Sequence, residues 1–239
     1  MRYMEGNRLD FRLENEMVQP AVEWLRSLRL LIKREFNTPW GVCDLVGLRF
    51  NEARVKERLC LGQRHSIGSA LRIMVLQQIP DCRTHHSVTV ERLGQKLDGL
   101  LTSDDLGHEI ARLVESNFVR RTRTGSLQKR NGWAPLQERI VALELKLSRV
   151  QDAYSQALSN LMFADESYIG LPAIAAERLL VTRRCDEFRQ TGVGILSISR
   201  DSCTIVLPST RRSLAANRIV QMHCAERFWR TRARSVDHL

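Results

Sequence analysis

Residues 139–147 read RIVALELKL, and the rest of the fold can be worked out from this stretch. From Val141 onward, large apolar side chains alternate with smaller or charged ones, which is the period of two that is typical of a β-strand. Glu144 and Lys146 therefore leave the same face of the predicted strand, between apolar neighbours. The stretch predicts a core strand that carries a carboxylate and an amine two residues apart.

A second apolar strand that carries a carboxylate lies far upstream. Residues 42–48 read VCDLVGL and follow a turn marked by Thr38, Pro39 and Gly41. The length and composition are those of a buried strand, apart from Asp44 near its middle. An isolated charge there is costly unless it is paired or bound to a metal ion. Asp44 is therefore the first candidate functional residue.

Helices and strands alternate around these two strands. Residues 11–32 predict an amphipathic helix, or a pair of helices broken near Pro20. After the 139–147 strand, Ser148 is predicted to cap a helix with an apolar stripe. The later segments are predicted as a strand at 167–171, a helix at 173–189, a strand at 192–198, an extended piece at 204–207 and a final helix at 211–230.

Residues 55–135 have the pattern of a separate unit between the two charged strands. Three helices followed by a hairpin give the winged helix-turn-helix order. Thr102 and Asp105 have the spacing of a capping box at the start of the third helix. The predicted elements are helices at 67–79, 88–97 and 103–117, a strand at 118–122, a turn at 124–126 and a return strand from Leu127.

The two carboxylates and the lysine suit the hydrolysis of a phosphodiester. Asp44 and Glu144 offer oxygen ligands to Mg²⁺, a hard cation that keeps several waters when it binds proteins. The ion polarises the phosphate and lowers the pKa of a water, and Lys146 can orient that water or neutralise developing charge. The backbone carbonyl of Leu145 can complete the metal sphere. We therefore expect Mg²⁺ as the cofactor, with Mn²⁺ as a substitute.

This arrangement resembles the PD-(D/E)XK nuclease superfamily. Asp44 is similar to the aspartate of that family's core strand, and Glu144-Leu145-Lys146 to its (D/E)XK tripeptide. The helix that contains Glu16 resembles the family's first helix with its accessory glutamate. Gln156 matches a frequently functional polar position on the helix after the tripeptide.

The resemblance covers residues 11–50 and 136–207. It implies a restriction-endonuclease-like αβββαβ core, dependence on Mg²⁺ and a nucleic-acid substrate. Two features depart from the family pattern, because no proline precedes Asp44 and the segment from Asp44 to Glu144 is long. A folded insert can fill that segment, since the entropy of loop closure rises only slowly with length.

The sequence thus predicts an α/β protein with a restriction-endonuclease-like αβββαβ core and an inserted winged helix-turn-helix domain. Residues 1–54 with 136–239 form the predicted core, and residues 55–135 form the insert. The predicted function is that of a Mg²⁺-dependent deoxyribonuclease, an endonuclease whose winged helix aids DNA binding. The main alternative is a catalytically inactive nuclease-fold protein that binds DNA or acts in assembly. A transcription regulator is a weaker interpretation, because it leaves the charged strand at 139–147 unexplained.

Positive charge is concentrated in two segments. The formal net charge is +10; residues 119–133 hold five Arg or Lys and no acid, and residues 210–239 hold seven Arg against two acids. Concentrated basic charge indicates a polyanionic partner. A winged helix that binds protein is the alternative, because the helix at 103–117 carries four acids against one arginine. The residues expected to contact DNA from the wing are Arg120, Arg121, Arg123, Lys129 and Arg130.

The chain has no feature of a membrane or secreted protein. No apolar run is long enough to span a bilayer, and the polar first ten residues lack the apolar region of a secretory signal. The six cysteines are scattered without a CxxC pair, which is typical of free thiols in a reducing compartment. We expect a cytoplasmic protein with no membrane partner. A homodimer would suit an enzyme that cuts both DNA strands, although no residue pattern indicates one.

The candidate site residues have structural alternatives. Asp44 can form an ion pair with Lys146 in a core that has no activity. Glu16 can lie on a solvated helix face, and Glu14 and Glu23 are then its rivals for the accessory position. A functional site requires the carboxyl groups of the two strands to converge on one point beside the lysine.

Overall fold

The structure is a computed structural model that describes residues 11–130, 135–211 and 216–236. The chain divides into two compact units: unit 1 contains Met1–Arg49 and Arg139–Asn217, and unit 2 contains Phe50–Glu138 and Arg218–Leu239. The C-terminal segment from Arg218 therefore belongs to unit 2, whereas the sequence predicts that all of residues 136–239 belong to the core.

Within the described residues the chain forms nine α-helices, two short 3-10 helices and eight strands. The α-helices are α1 (Val18–Ser27), α2 (Glu52–Cys60), α3 (Ala70–Gln78), α4 (Val90–Lys96), α5 (Ser103–Glu115), α6 (Val150–Asn160), α7 (Ala173–Leu180), α8 (Arg184–Thr191) and α9 (Arg218–Val236). The strands are β1 (Leu31–Thr38), β2 (Gly41–Phe50), β3 (Val119–Arg121), β4 (Leu127–Lys129), β5 (Gln137–Leu145), β6 (Glu166–Pro172), β7 (Gly194–Ile198) and β8 (Cys203–Leu207). The 3-10 helices are Glu14–Met17 and Cys82–Thr84. The predicted mixed α/β class is confirmed.

Six strands form one mixed sheet in the order β1-β2-β5-β6-β7-β8. β1 and β2 form an antiparallel hairpin, β5, β6 and β7 run parallel, and β8 is antiparallel to β7. The hairpin turns at Gly41, whose φ of 137° favours glycine, and the Thr38 hydroxyl donates to the Gly41 carbonyl over 2.9 Å. α6 connects β5 to its parallel neighbour β6, because such a pair needs a crossover rather than a tight turn.

Apolar residues cover both faces of this sheet in unit 1. On one face, Leu25 of α1 shares a buried cluster with Leu143 and Leu145 of β5. On the other face, Ala157 of α6 shares a second cluster with Ile169 of β6. β5 and β6 are consequently buried along most of their length. Strands covered on both faces read as nearly continuous apolar runs, which is why they could be recognised in the sequence.

Unit 2 has its own core. The helices α3, α4 and α5 and the β3–β4 hairpin contribute buried residues such as Leu93, Ile110 and Leu127, and α9 contributes Met222. Val88, just before α4, forms an isolated antiparallel bridge with Leu127 of the hairpin. The order of three helices and a hairpin is the one that the sequence predicted for this segment.

A buried ion pair holds α9 in unit 2. Arg58 of α2 donates from Nη1 and Nη2 to the two carboxylate oxygens of Glu226 over 2.5 and 2.9 Å, and both side chains are 2% exposed. Arg58 also donates to the carbonyls of Gln63 and His65, and Glu226 accepts from the backbone N of Ile67. The remaining lone pairs and protons are thereby satisfied, as a buried pair requires.

Several elements differ from their predicted limits. The first helix ends at Ser27, and the residues predicted as its last turn leave the helix and enter β1, which the sequence did not predict. α2 was not predicted either. The predicted helix at 173–189 is two helices, and the last one begins at Arg218 rather than 211. All six cysteines are free, and no described helix combines the length and apolar character needed to cross a membrane.

Candidate active site

Asp44 lies on β2, which neighbours β5 in the sheet. Its Oδ2 atom accepts a hydrogen bond from the backbone N of Leu145 over 2.7 Å. Burial raises the pKa of Asp44, while the Leu145 N–H and the charge of Lys146 act in the opposite direction. The carboxylate of β2 thus reaches the segment of β5 that carries the E-x-K tripeptide.

Glu144 is 1% exposed on β5. Its Oε1 atom accepts a hydrogen bond from Nδ2 of Asn160 on α6 over 2.6 Å. The Oε2 atom is buried, and none of the described residues donates a hydrogen bond to it. Burial, and then the negative charge of Asp44, raise the pKa of Glu144 to about 7. Near neutral pH this carboxyl group therefore exchanges between its protonated and ionised forms.

The structure brings the two carboxyl groups and the lysine together. The negative charge of Asp44 raises the pKa of Glu144. The charge of Lys146 lowers the pKa of both carboxyl groups. Asp44 also accepts from the backbone N of Leu145, the residue between Glu144 and Lys146, so the three side chains start from adjoining segments of β2 and β5. Three residues chosen from the sequence therefore form one cluster.

Lys146 follows the last residue of β5 and has a third carboxylate as its neighbour. Its Nζ atom lies 3.6 Å from Oε2 of Glu14, and its side chain is 12% exposed. The backbone N of Leu147 donates to Oε1 of the same glutamate over 3.4 Å. Glu14 is the first residue of the 3-10 helix that leads into α1. Glu14, and not the predicted Glu16, is therefore the acid of this segment that contacts Lys146.

Glu16 has a different role in the structure. Its Oε2 atom accepts hydrogen bonds from the backbone N of Arg12 over 2.7 Å and of Leu13 over 3.4 Å. The Arg12 N–H lowers the pKa of Glu16. This carboxylate caps the start of the first helical segment and, within the described part of the chain, forms no hydrogen bond or ion pair with Asp44, Glu144 or Lys146.

On α6 the structure favours a different amide from the predicted one. Gln156 is exposed, whereas Asn160, one turn later, is 3% exposed and donates to Glu144. Asn160 follows Ala153 and Ala157 at helical spacing on the buried face of α6. That spacing was the signal in the sequence, because it places an amide where the apolar stripe should continue.

An open cleft of about 530 Å³ adjoins the cluster in unit 1. Its lining contains three carboxylates and one arginine, and Glu144 is not part of it. Glu35 of β1 belongs to this lining, although no sequence pattern distinguished it. The lining residues are Glu14, Asn15, Val18, Arg34, Glu35, Asp44 and Leu145.

The donor set of the cluster fits a hard divalent cation. Asp44 and the orphaned Oε2 atom of Glu144 are carboxylate oxygens, the ligands that Mg²⁺ prefers. Among the described residues no group of three or more His, Cys, Asp or Glu side chains is arranged to hold a metal ion. Mg²⁺ is commonly held by one or two carboxylates, with water in its other positions.

The basic residues predicted to bind DNA lie on and around the β3–β4 hairpin of unit 2. Arg120, Arg121 and Arg123 are exposed. Arg120 also donates to the side chain of Gln128 on the opposite strand over 3.0 Å, which holds its guanidinium against the hairpin. These three arginines form an exposed basic surface, which we call the wing.

The other two predicted DNA contacts are less available. Lys129 is half-buried. Burial lowers the pKa of its amine, and the negative charge of Asp81 acts in the opposite direction. Arg130 is half-buried and donates to Oδ1 of Asn117 over 2.9 Å. Both side chains are thus partly packed within unit 2, which leaves them less accessible to DNA than the three exposed arginines.

Comparison with known proteins assigns no family. No protein-family model and no curated protein matches the chain. One solved structure, described as SPO1766 protein of unknown function from Silicibacter pomeroyi, aligns with 95% of this chain and 90% of its own length. The sequences are 12% identical and the TM-score is 0.43. A likeness of that degree indicates neither a shared family nor a function.

Proposed function

We propose that the protein is a Mg²⁺-dependent nuclease that hydrolyses phosphodiester bonds of DNA as an endonuclease. The observation that supports this most directly is the cluster of Asp44, Glu144 and Lys146, in which each charge shifts the pKa of a neighbour. Two acids and a lysine from neighbouring strands are costly to bury unless they serve a site.

The order of elements in unit 1 supports a restriction-endonuclease-like core of the PD-(D/E)XK type. α1, β1, β2, β5, α6 and β6 follow one another as αβββαβ, with α2 to β4 inserted after the third element. The insert has the helix and hairpin order of a winged helix. In this proposal the wing contacts DNA phosphates, because the exposed side of α5 carries the acidic Asp104 and Asp105.

The roles of the residues follow from their surroundings. Asp44 and Glu144 would hold the divalent ion, together with the backbone carbonyl of Leu145. When bound, the ion supplies positive charge that polarises the phosphodiester and favours ionisation of the attacking water. Lys146, with Glu14 beside its ammonium group, would orient that water and offset the charge that develops on the phosphate.

A second candidate is a scaffold without activity that retains this fold. It is favoured by the near-complete burial of Glu144 and by the Asn160 hydrogen bond, since both are also expected of a structural carboxyl group. A scaffold would bind nucleic acid without cutting it.

Plasmid nicking in Mg²⁺ or Mn²⁺ separates the two candidates. Wild type should nick the plasmid, whereas Glu144→Ala and Asp44→Asn should lose activity by a factor of at least about 10³. Circular dichroism and DNA affinity serve as the controls for folding and binding. If wild type and Glu144→Ala are equally inert on single-stranded, duplex and branched substrates, the scaffold is the better description.

A further inference from the structure

The backbone of β1 is irregular beside Asp44. The β1–β2 ladder pairs Arg34 with Leu45 and Phe36 with Cys43, and it omits the pair between them. Glu35 is the residue opposite Asp44, and its φ of 47° lies in the left-handed region. Such a conformation is unfavourable for a residue with a side chain and persists only where the surrounding structure imposes it.

This irregularity changes which side chains reach the cleft. Consecutive residues of a regular strand point to opposite faces. Arg34 and Glu35 nevertheless both line the cleft that contains Asp44. Arg34 is thus the one basic residue among the described residues of a lining whose other charged residues are acidic.

Arg34 is exposed, and among the described residues no side chain or carbonyl forms an ion pair or hydrogen bond with its guanidinium group. The nearby acids have other neighbours: Asp44 accepts from the backbone N of Leu145, and Glu14 lies beside Lys146. An arginine that stays unpaired in a cleft lined by three carboxylates is available for an anion from outside the protein.

We propose that Arg34 is a positioning residue that binds a backbone phosphate of the substrate strand in this cleft. The inference rests on the proposed nuclease function and adds a residue to it. Arginine presents a planar fork of donors that matches two phosphate oxygens, and such charge-assisted contacts are stronger than neutral hydrogen bonds. A polyanion is repelled by the carboxylates of the cleft, so a phosphate needs a cationic partner there. Arg34 supplies that partner next to the cluster.

The test compares Arg34→Ala with Arg26→Ala, which removes an equal charge from an exposed position on α1 outside the cleft lining. Binding of a fluorescein-labelled DNA duplex is measured by fluorescence anisotropy in EDTA, at NaCl concentrations from about 50 to about 300 mM. Over this range, the release of about one counterion per phosphate contact gives a measurable change in the slope of log K against log salt. Loss of one phosphate contact should weaken binding about tenfold and make the slope of log K against log salt shallower by about 0.9. Arg26→Ala should change the slope much less than Arg34→Ala does. Arg34→Lys should keep most of the wild-type slope.

Cleavage kinetics in Mg²⁺ give the second readout. Arg34→Ala should raise KM about tenfold and leave kcat within about threefold, because a contact made equally in the ground state and the transition state affects binding alone. If Arg34→Ala and Arg26→Ala have equal slopes and equal KM values, the inference about Arg34 is overturned. Cleavage by the wild type would still support the nuclease function in that case. If wild type cuts nothing but the slopes differ as expected, the phosphate contact stands and the nuclease function does not.

The irregular backbone can be tested with two substitutions at one position. Glu35→Gly and Glu35→Val both remove the carboxylate, but glycine accepts a positive φ and valine disfavours it. The valine variant should return β1 to a regular strand and show the reduced salt slope of Arg34→Ala. The glycine variant should keep the wild-type slope. Identical slopes for the two variants would mean that the backbone irregularity does not position Arg34.

Discussion

Replacing Glu144 by glutamine should stabilise the protein at neutral and alkaline pH while abolishing cleavage. Glutamine has nearly the same shape, and its Oε1 atom can still accept from Asn160. Its amide group can donate to the carboxylate of Asp44, which the ionised glutamate cannot do. The substitution therefore removes a buried negative charge and keeps the packing.

The magnitude follows from the pKa of Glu144, which burial and Asp44 raise from 4.5 to about 7. A carboxyl group with a raised pKa binds more protons in the folded state than in the unfolded state at intermediate pH. Its contribution to stability is complete below about pH 4.5 and is lost as the pH rises through 7. Each pKa unit corresponds to about 1.4 kcal/mol, so about 3 kcal/mol should be lost by pH 8.

Urea denaturation in EDTA, monitored by circular dichroism from pH 4.5 to pH 8, measures this difference. The variant and wild type should have similar free energies of unfolding at the acidic end, and the variant should be more stable by about 2 to 3 kcal/mol at pH 8. Glu177→Gln, at an exposed position on α7, is the matched control and should show no such trend. Addition of about 10 mM Mg²⁺ should stabilise wild type by about 1.4 kcal/mol for a Kd of about 1 mM and leave Glu144→Gln unchanged. A difference that does not vary with pH, or a variant that is less stable at pH 8, would refute the reasoning.

Three further predictions concern the neighbours of the site and the two cores. Asn160→Ala should shift the acidic limb of the cleavage pH profile to higher pH, because the amide hydrogen bond lowers the pKa of Glu144; an unchanged limb would contradict this. Glu226→Ala should destabilise unit 2 by about 3 to 5 kcal/mol, since it leaves Arg58 buried and unpaired, and calorimetry measures the loss. Gly194→Ala should cost at least about 2 kcal/mol in urea denaturation, because its Cβ atom would meet an aromatic ring and lie 2.7 Å from a backbone nitrogen.

The predictable parts of the fold are those in which burial imposes a pattern on the sequence. β5 is buried from Ile140 onward, so its apolar run made Glu144, and Lys146 just after the strand, recognisable in the sequence. β1 forms an edge of the sheet and most of its residues are partly or fully exposed, so LIKREFNT carries no strand pattern. The place of α9 was hidden for a different reason. Its arginines indicated a basic tail, whereas Phe228 and Trp229 are 2% exposed in unit 2.

Burial also decides which of the candidate site residues could be predicted from the sequence. Asp44 and Glu144 could be found because a charge in an apolar strand is improbable without a partner. The choice between Glu14 and Glu16 depends on where a short 3-10 helix begins, and helix limits are poorly defined by sequence. Glu35 had no signal at all, because its left-handed conformation is imposed by the pairing of β1 with β2 and not by its own residue type.

Buried or confined charges occur in both units, and the difference between them supports a functional reading of unit 1. In unit 2, Arg58 and Glu226 satisfy each other and the surrounding backbone, so their pairing accounts for their burial. Among the described residues of unit 1, none donates to Oε2 of Glu144 and none pairs with the guanidinium group of Arg34, which lines a cleft with three acids. Unsatisfied polar or charged groups that cost stability persist where they serve binding or chemistry. Because the deficits in unit 1 are of opposite sign, a divalent cation and a phosphate would satisfy them together.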